Sequence, residues 1–134
     1  MTAWHDFRLI GVICPARGKA VIFVASDSNT MKFALTMDGV YHLCASEMKE
    51  GNIILSAEII VASKMTDYFV RKTLGDGDSS TPTASLVAMR RVIEDKQLIG
   101  IEIMPSYGCE FTCICHSITL EAITAPEKFE FPQS

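Results

Sequence analysis

The chain reads as an α+β domain built on a mostly antiparallel sheet. Three observations predict this. Strand-like apolar runs fill most of its length, the spacing becomes helical only between residues 63 and 96, and turn residues separate the runs at short intervals. A length of 134 residues with 49% apolar side chains suits a single domain, 1–134, with its own core and a flexible tail from about residue 126. No apolar run approaches the roughly 18–20 residues of a membrane helix. The first eight residues, Met-Thr-Ala-Trp-His-Asp-Phe-Arg, lack a basic segment followed by an apolar one, so no export signal is expected.

Residues 7–14 and 19–25 are two strand-like runs joined by Pro15-Ala16-Arg17-Gly18, a turn-forming tetrapeptide. Neither run alternates. Leu9, Ile10, Val12 and Ile13, then Val21, Ile22, Phe23 and Val24, put apolar groups on both faces. Such strands want cover on both sides, from helices, a second sheet layer or another subunit. Met31, Phe33, Leu35 and Met37 do alternate with polar or small residues, which marks a half-buried antiparallel strand. Asp38-Gly39 then predicts a tight type I′ hairpin back into residues 40–45. A further strand places Ile53, Leu55, Ala57, Ile59 and Val61 inward and Ser56 and Glu58 outward. Five strands in a meander follow from this reading.

The helical stretch has two parts. Ser63 is the expected cap of the first helix, Met65 and Phe69 pair at i, i+4, Asp67 faces Arg71, and Gly75 ends the run. Thr81-Pro82 marks the start of the second, whose apolar stripe is Leu86, Met89 and Ile93. Residues 97–104 form a strand with Ile99, Ile101 and Ile103 on one face, and residues 105–108 turn it into a long last strand, 107–123. The expected architecture is a five-strand meander, two helices and a two-strand hairpin, in a curved or partly barrel-like sheet.

The last strand holds Cys109, Cys113, Cys115 and His116, which suggest metal ligands by type. Spacing argues against them. At about 3.3 Å per residue Cys109 and Cys113 lie about 13 Å apart, too far for one tetrahedral ion with bonds near 2.3 Å. Cys113 and Cys115 share a face while His116 points the other way, so the cysteines read as small core residues, and neither metal nor cofactor is expected. Apolar residues occupy odd positions up to Cys113 but even positions from His116 onward. Strand side chains alternate strictly, so this slip predicts a bulge or sharp bend within residues 113–116.

Other candidates are thinner. Cys14 beside Arg17 and Lys19 is a candidate reactive thiol, although a buried strand-end cysteine is the plainer reading. His42 and Cys44 fall on one strand face and form a candidate His–Cys pair. Asp76-Gly77-Asp78 resembles the start of a calcium loop but lacks the later acidic ligands. No nucleophile elbow, zinc-protease helix or dinucleotide loop is present, and catalysis is not the expected role.

Five cysteines without a disulfide framework point to reduced thiols and a cytoplasmic setting. A net charge of −4 disfavours nucleic acid and anionic membranes as partners. Residues 97–134 carry one basic and five acidic side chains, among them Glu102, Glu110 and Glu121. With Asp76 and Asp78 these are the candidate binding residues for a basic partner. The expected function is that of a small acidic protein-binding domain, acting through a protein partner or as a homodimer through a sheet face. Immunity proteins that neutralise basic toxins, and adaptor or chaperone proteins, share its size and charge. The alternative is a small-molecule or thiol-dependent domain with an apolar pocket between sheet and helices, served by His42, Cys44 and Cys14.

Overall fold

The computed structural model describes residues 4–76 and 83–123. Among these residues, eight strands form one antiparallel sheet: β1 (Arg8–Ala16), β2 (Lys19–Ala25), β3 (Lys32–Asp38), β4 (His42–Ser46), β5 (Asn52–Ile60), β6 (Ile99–Tyr107), β7 (Glu110–Cys115) and β8 (Ser117–Ala122). The helices α1 (Asp67–Leu74) and α2 (Ala84–Lys96) lie between β5 and β6 in the chain. The α+β class with a mostly antiparallel sheet is therefore present, but the five-strand meander is not. The strand order is β4-β7-β6-β5-β1-β2-β3-β8, and the sheet is open, with β4 and β8 at its edges.

The meander fails at Asp38-Gly39. Gly39 does take positive φ, at 62°, but Asp38 does not, so the type I′ turn never forms. Instead β3 and β4 run end to end. Each pairs with the late segment, β3 with β8 (Asp38↔Ser117) and β4 with β7 (His42↔Ile114). The result is one long two-stranded ribbon with a corner at residues 39–41 on one side and His116 on the other. At that corner the His116 amide points to the carbonyls of both Asp38 and Gly39, at 3.0 and 3.1 Å. A Cβ on Gly39 would sit 2.6 Å from the His116 Cβ, so glycine's missing side chain is what lets the strands cross so closely. The phase slip expected within 113–116 appears here, as the break that divides the last strand into β7 and β8.

The corner splits the sheet into two four-stranded halves, β4-β7-β6-β5 and β1-β2-β3-β8. They are bridged on the other side by a β1–β5 ladder of only two residue pairs, Arg8↔Ile53 and Leu9↔Asn52. Their inner faces close on one core. It contains Leu9, Ile22, Val24, Leu35 and Met37 from one half and Ile54, Ala57, Ile101, Ile103, Phe111, Cys113 and Cys115 from the other. Trp4 and Phe33 pack at its end, with ring centroids 6.2 Å apart. Register shifts in β5 around Ile54 turn Ile54 inward and Leu55 out to 48% exposure, which reverses the inward assignment of Leu55.

Asn52 ties the bridge together. Buried at the start of β5, its Oδ1 accepts from the Lys49 and Cys109 amides at 2.8 and 2.9 Å, and its Nδ2 donates to the Leu9 carbonyl at 3.4 Å. Gly108, at φ +88°, leaves no Cβ where the Asn52 side chain lies.

The helices cover the outer face of the β4-β7-β6 side, where a second core forms from Met65, Phe69, Val70, Leu86, Met89, Ile93, Leu98 and Ile114. Gly100 lets the Phe69 ring pack close against β6, since a Cβ there would stand 2.8 Å from it. The helix starts differ from expectation. Ser63 lies in a short 3₁₀ turn, Ala62–Lys64, and α1 is capped by Thr66, whose hydroxyl accepts from the Phe69 amide at 3.1 Å. Thr83 caps α2 in the same way through the Leu86 amide, and Thr81-Pro82 lies outside the described residues. Asp67 pairs with Arg90 at 3.6 Å rather than with Arg71, which is buried. The expected turn at residues 105–108 is shortened as well, because β6 continues to Tyr107. The expected tail falls within 124–134, outside the described residues.

Candidate functional site

Three places gather the residues that the sequence singled out. The first is a groove of about 580 Å³ between α1 and strands β5 and β6. Glu102 on β6 and Glu110 on β7 point to the same side and meet Lys72 of α1. The Lys72 Nζ lies 2.9 Å from Glu102 Oε2, 3.6 Å from Glu110 Oε1 and 4.9 Å from the centre of the Tyr68 ring. Burial works against the ammonium charge, but the hydrogen bond and field of Glu102, with Glu110 and Tyr68 adding to it, prevail and raise the Lys72 pKa. Glu58 faces Glu102 across the β5–β6 ladder, and the exposed side chains of Ile59, Val61 and Tyr68 stand around the groove.

The second place is a groove of about 420 Å³ where β4 meets both helices. It brings together Tyr41, His42, Asp76, Ser85 and Met89. A serine, a histidine and an aspartate thus line one depression, yet His42 bonds neither Asp76 nor Ser85. Asp76 instead accepts from the Thr83 hydroxyl at 3.2 Å. Cys44 lies two residues along β4 from His42, and no hydrogen bond joins them among the described residues. Nucleophilic chemistry needs the base within about 3.2 Å of its partners, and this arrangement does not supply that. Asp78 lies outside the described residues.

The cysteines separate by burial. Cys109, Cys113 and Cys115 are enclosed in the core, and Cys14 is exposed at the end of β1, contrary to the buried strand-end reading. Interaction with the neighbouring Cys115 thiol, together with burial, pushes the Cys113 thiol far above its usual range, while the same interaction draws Cys115 down. Burial raises Cys109 also. No group of three or more His, Cys, Asp or Glu residues is placed to hold a metal ion among the described residues.

The third place is the outer face of β1-β2-β3-β8. The registers set its side chains in cross-strand rows. Ile13, Val21, Thr36 and Thr119 form one row, and Gly11, Phe23, Ala34 and Glu121 the next. Ile10 adds to the β1 end because a register shift between Leu9 and Gly11 turns it outward. Among the described residues the helices pack on the other half of the sheet, and nothing covers this face. Ile10 is 55% and Ile13 48% exposed, beside half-buried Val21 and Phe23. The sequence shows that β1 and β2 are apolar on both faces. It carries no local signal for which half the helices choose, because that depends on Gly100 receiving Phe69. Glu121 stands at the β8 margin of the patch, and Lys19 with Asp38, 3.8 Å apart, at its end. No protein-family model matches the chain, and no curated protein shows significant similarity to it.

Proposed function

We propose that the chain is a non-enzymatic protein-binding domain whose docking surface is the outer face of β1-β2-β3-β8. The observation that carries this reading is the apolar patch of Ile10, Ile13, Val21 and Phe23, uncovered among the described residues, on strands whose composition calls for cover on both sides. An apolar centre bordered by charged residues is the anatomy of a protein interface. Glu121 at the margin suits a lysine or arginine of the partner, in keeping with the chain's net charge of −4. Glu102 and Glu110, held by Lys72, are less available for that contact. Five free thiols, three of them in the core, favour a reducing cytoplasm as the setting. A role like that of immunity or adaptor proteins fits these properties.

The test is affinity capture from the source cell, followed by titration of the purified pair. A stoichiometric partner is expected, bound more weakly as salt rises, with affinity lowered at least tenfold by Phe23→Asp and several-fold by Glu121→Lys while circular dichroism is unchanged. Absence of a stoichiometric partner, or binding indifferent to Phe23→Asp, rejects the reading.

A further inference from the structure

We infer that the chain dimerises by antiparallel pairing of β8 with β8 of a second copy, centred on Leu120, so that the sheet continues across a two-fold axis. The exposed strand edges are guarded unequally. Edge β4 has only five residues, and α1 packs on it. The margin of β1 beyond its short ladder with β5 carries two register shifts and Pro15. Both devices discourage pairing with another chain. By contrast, β8 has six residues in unbroken register with β3, no proline, no basic residue and one charge, Glu121. Among the described residues nothing pairs with its outer edge, and Leu120 is 48% exposed there.

The backbone fixes which groups face that edge. The Ile123 amide donates to the Lys32 carbonyl at 2.8 Å, in the same register as the β3–β8 ladder. Hydrogen-bonded pairs alternate along antiparallel strands, so residues 117, 119 and 121 turn their N–H and C=O groups to β3. Ile118, Leu120 and Ala122 turn theirs to the open edge. Centring the pairing on Leu120 sets Leu120 opposite itself and Ile118 opposite Ala122 of the second copy, so all three outward-facing residues find partners within the strand. Centring on Thr119 instead carries Ala122 to the bent corner at His116, and centring on Glu121 carries Ile118 past the strand end.

Side chains agree with the same register. Leu120 packs on Leu120 of the second copy and loses its exposure, while Glu121 falls opposite Thr119 rather than opposite a second carboxylate. A two-fold axis normal to the sheet keeps both outer faces on one side. The two bare patches then form one continuous surface, a consequence that rests on the proposed docking role, whereas the pairing does not.

Sedimentation velocity over a concentration series, with amide exchange by NMR, tests this. The expected result is a concentration-dependent species approaching twice the 14.7 kDa chain mass, with slowed exchange at the Ile118, Leu120 and Ala122 amides. Leu120→Lys should return the monomer and free those three amides. If that variant fails to fold, Ala122→Pro removes one outward donor without touching the β3 ladder and should weaken the dimer. Phe23→Asp should leave the dimer intact. A monomer at every concentration, a dimer that survives both edge variants, or a dimer lost in Phe23→Asp but kept in Leu120→Lys overturns the inference.

Discussion

Lys72 carries its charge to a place where burial opposes it, and the two carboxylates of the sheet are what hold it there. With its side chain 15% exposed, it balances Glu102 and Glu110, which stand on adjacent strands. Its folded pKa lies above the unfolded value of 10.5. The folded state therefore binds the proton more tightly, and the associated stability is complete below 10.5 and is lost as pH rises through the folded pKa. Lys72→Met should lower the urea midpoint at neutral pH, because it leaves two carboxylates without their counter-ion. The gap between wild type and variant should then hold up to about pH 10.5 and narrow as pH rises above it. A gap that stays constant or widens above pH 10.5 would show that Lys72 contributes through packing alone. Composition placed Glu102 and Glu110 on an acidic surface; the Lys72 contact spans 30 residues of chain and has no local signature.

The helices show where sequence reading succeeds and where it slips. Gly75 ends α1 at φ 77°, as its position after the apolar run suggested. The apolar stripe of α2, Leu86, Met89 and Ile93, is the buried one. The starts slipped because several Ser and Thr residues compete as caps, and the winner is decided by where the chain can turn onto β6. Thr66 wins over Ser63 because starting α1 there brings Phe69 over Gly100. Thr66→Ala should cost about 1 kcal/mol, and Thr66→Ser should recover most of it, as measured by urea denaturation. An equal loss in both variants would mean that the threonine methyl, not the cap, stabilises the helix. Strand assignments were legible wherever one face was clearly apolar, as in β3 and β6. They failed in β5, where register shifts exchange Ile54 and Leu55, and pairing partners were not legible, because an Asp-Gly pair looks the same in a hairpin and in a corner.

That corner decides whether the molecule behaves as one unit. The two half-sheets share a core and are joined at two places, by the ribbon through Gly39 and His116 and by the short β1–β5 ladder, which the Asp6 and Phe7 backbone extends to Ile54. Trp4, the only tryptophan, is buried in the shared core and reports on it by fluorescence. Far-ultraviolet circular dichroism reports in addition on the helical layer against β6 and β7. If the core couples the halves, both signals should trace a single coincident transition in urea. Gly39→Ala adds a Cβ against His116 and strains a positive φ, which should cost about 1–3 kcal/mol and move both signals together. Separation of the tryptophan transition from the helical one, in the wild type or in Gly39→Ala, would mean that the halves unfold independently. The corner would then be a hinge between two modules instead of the joint of one domain.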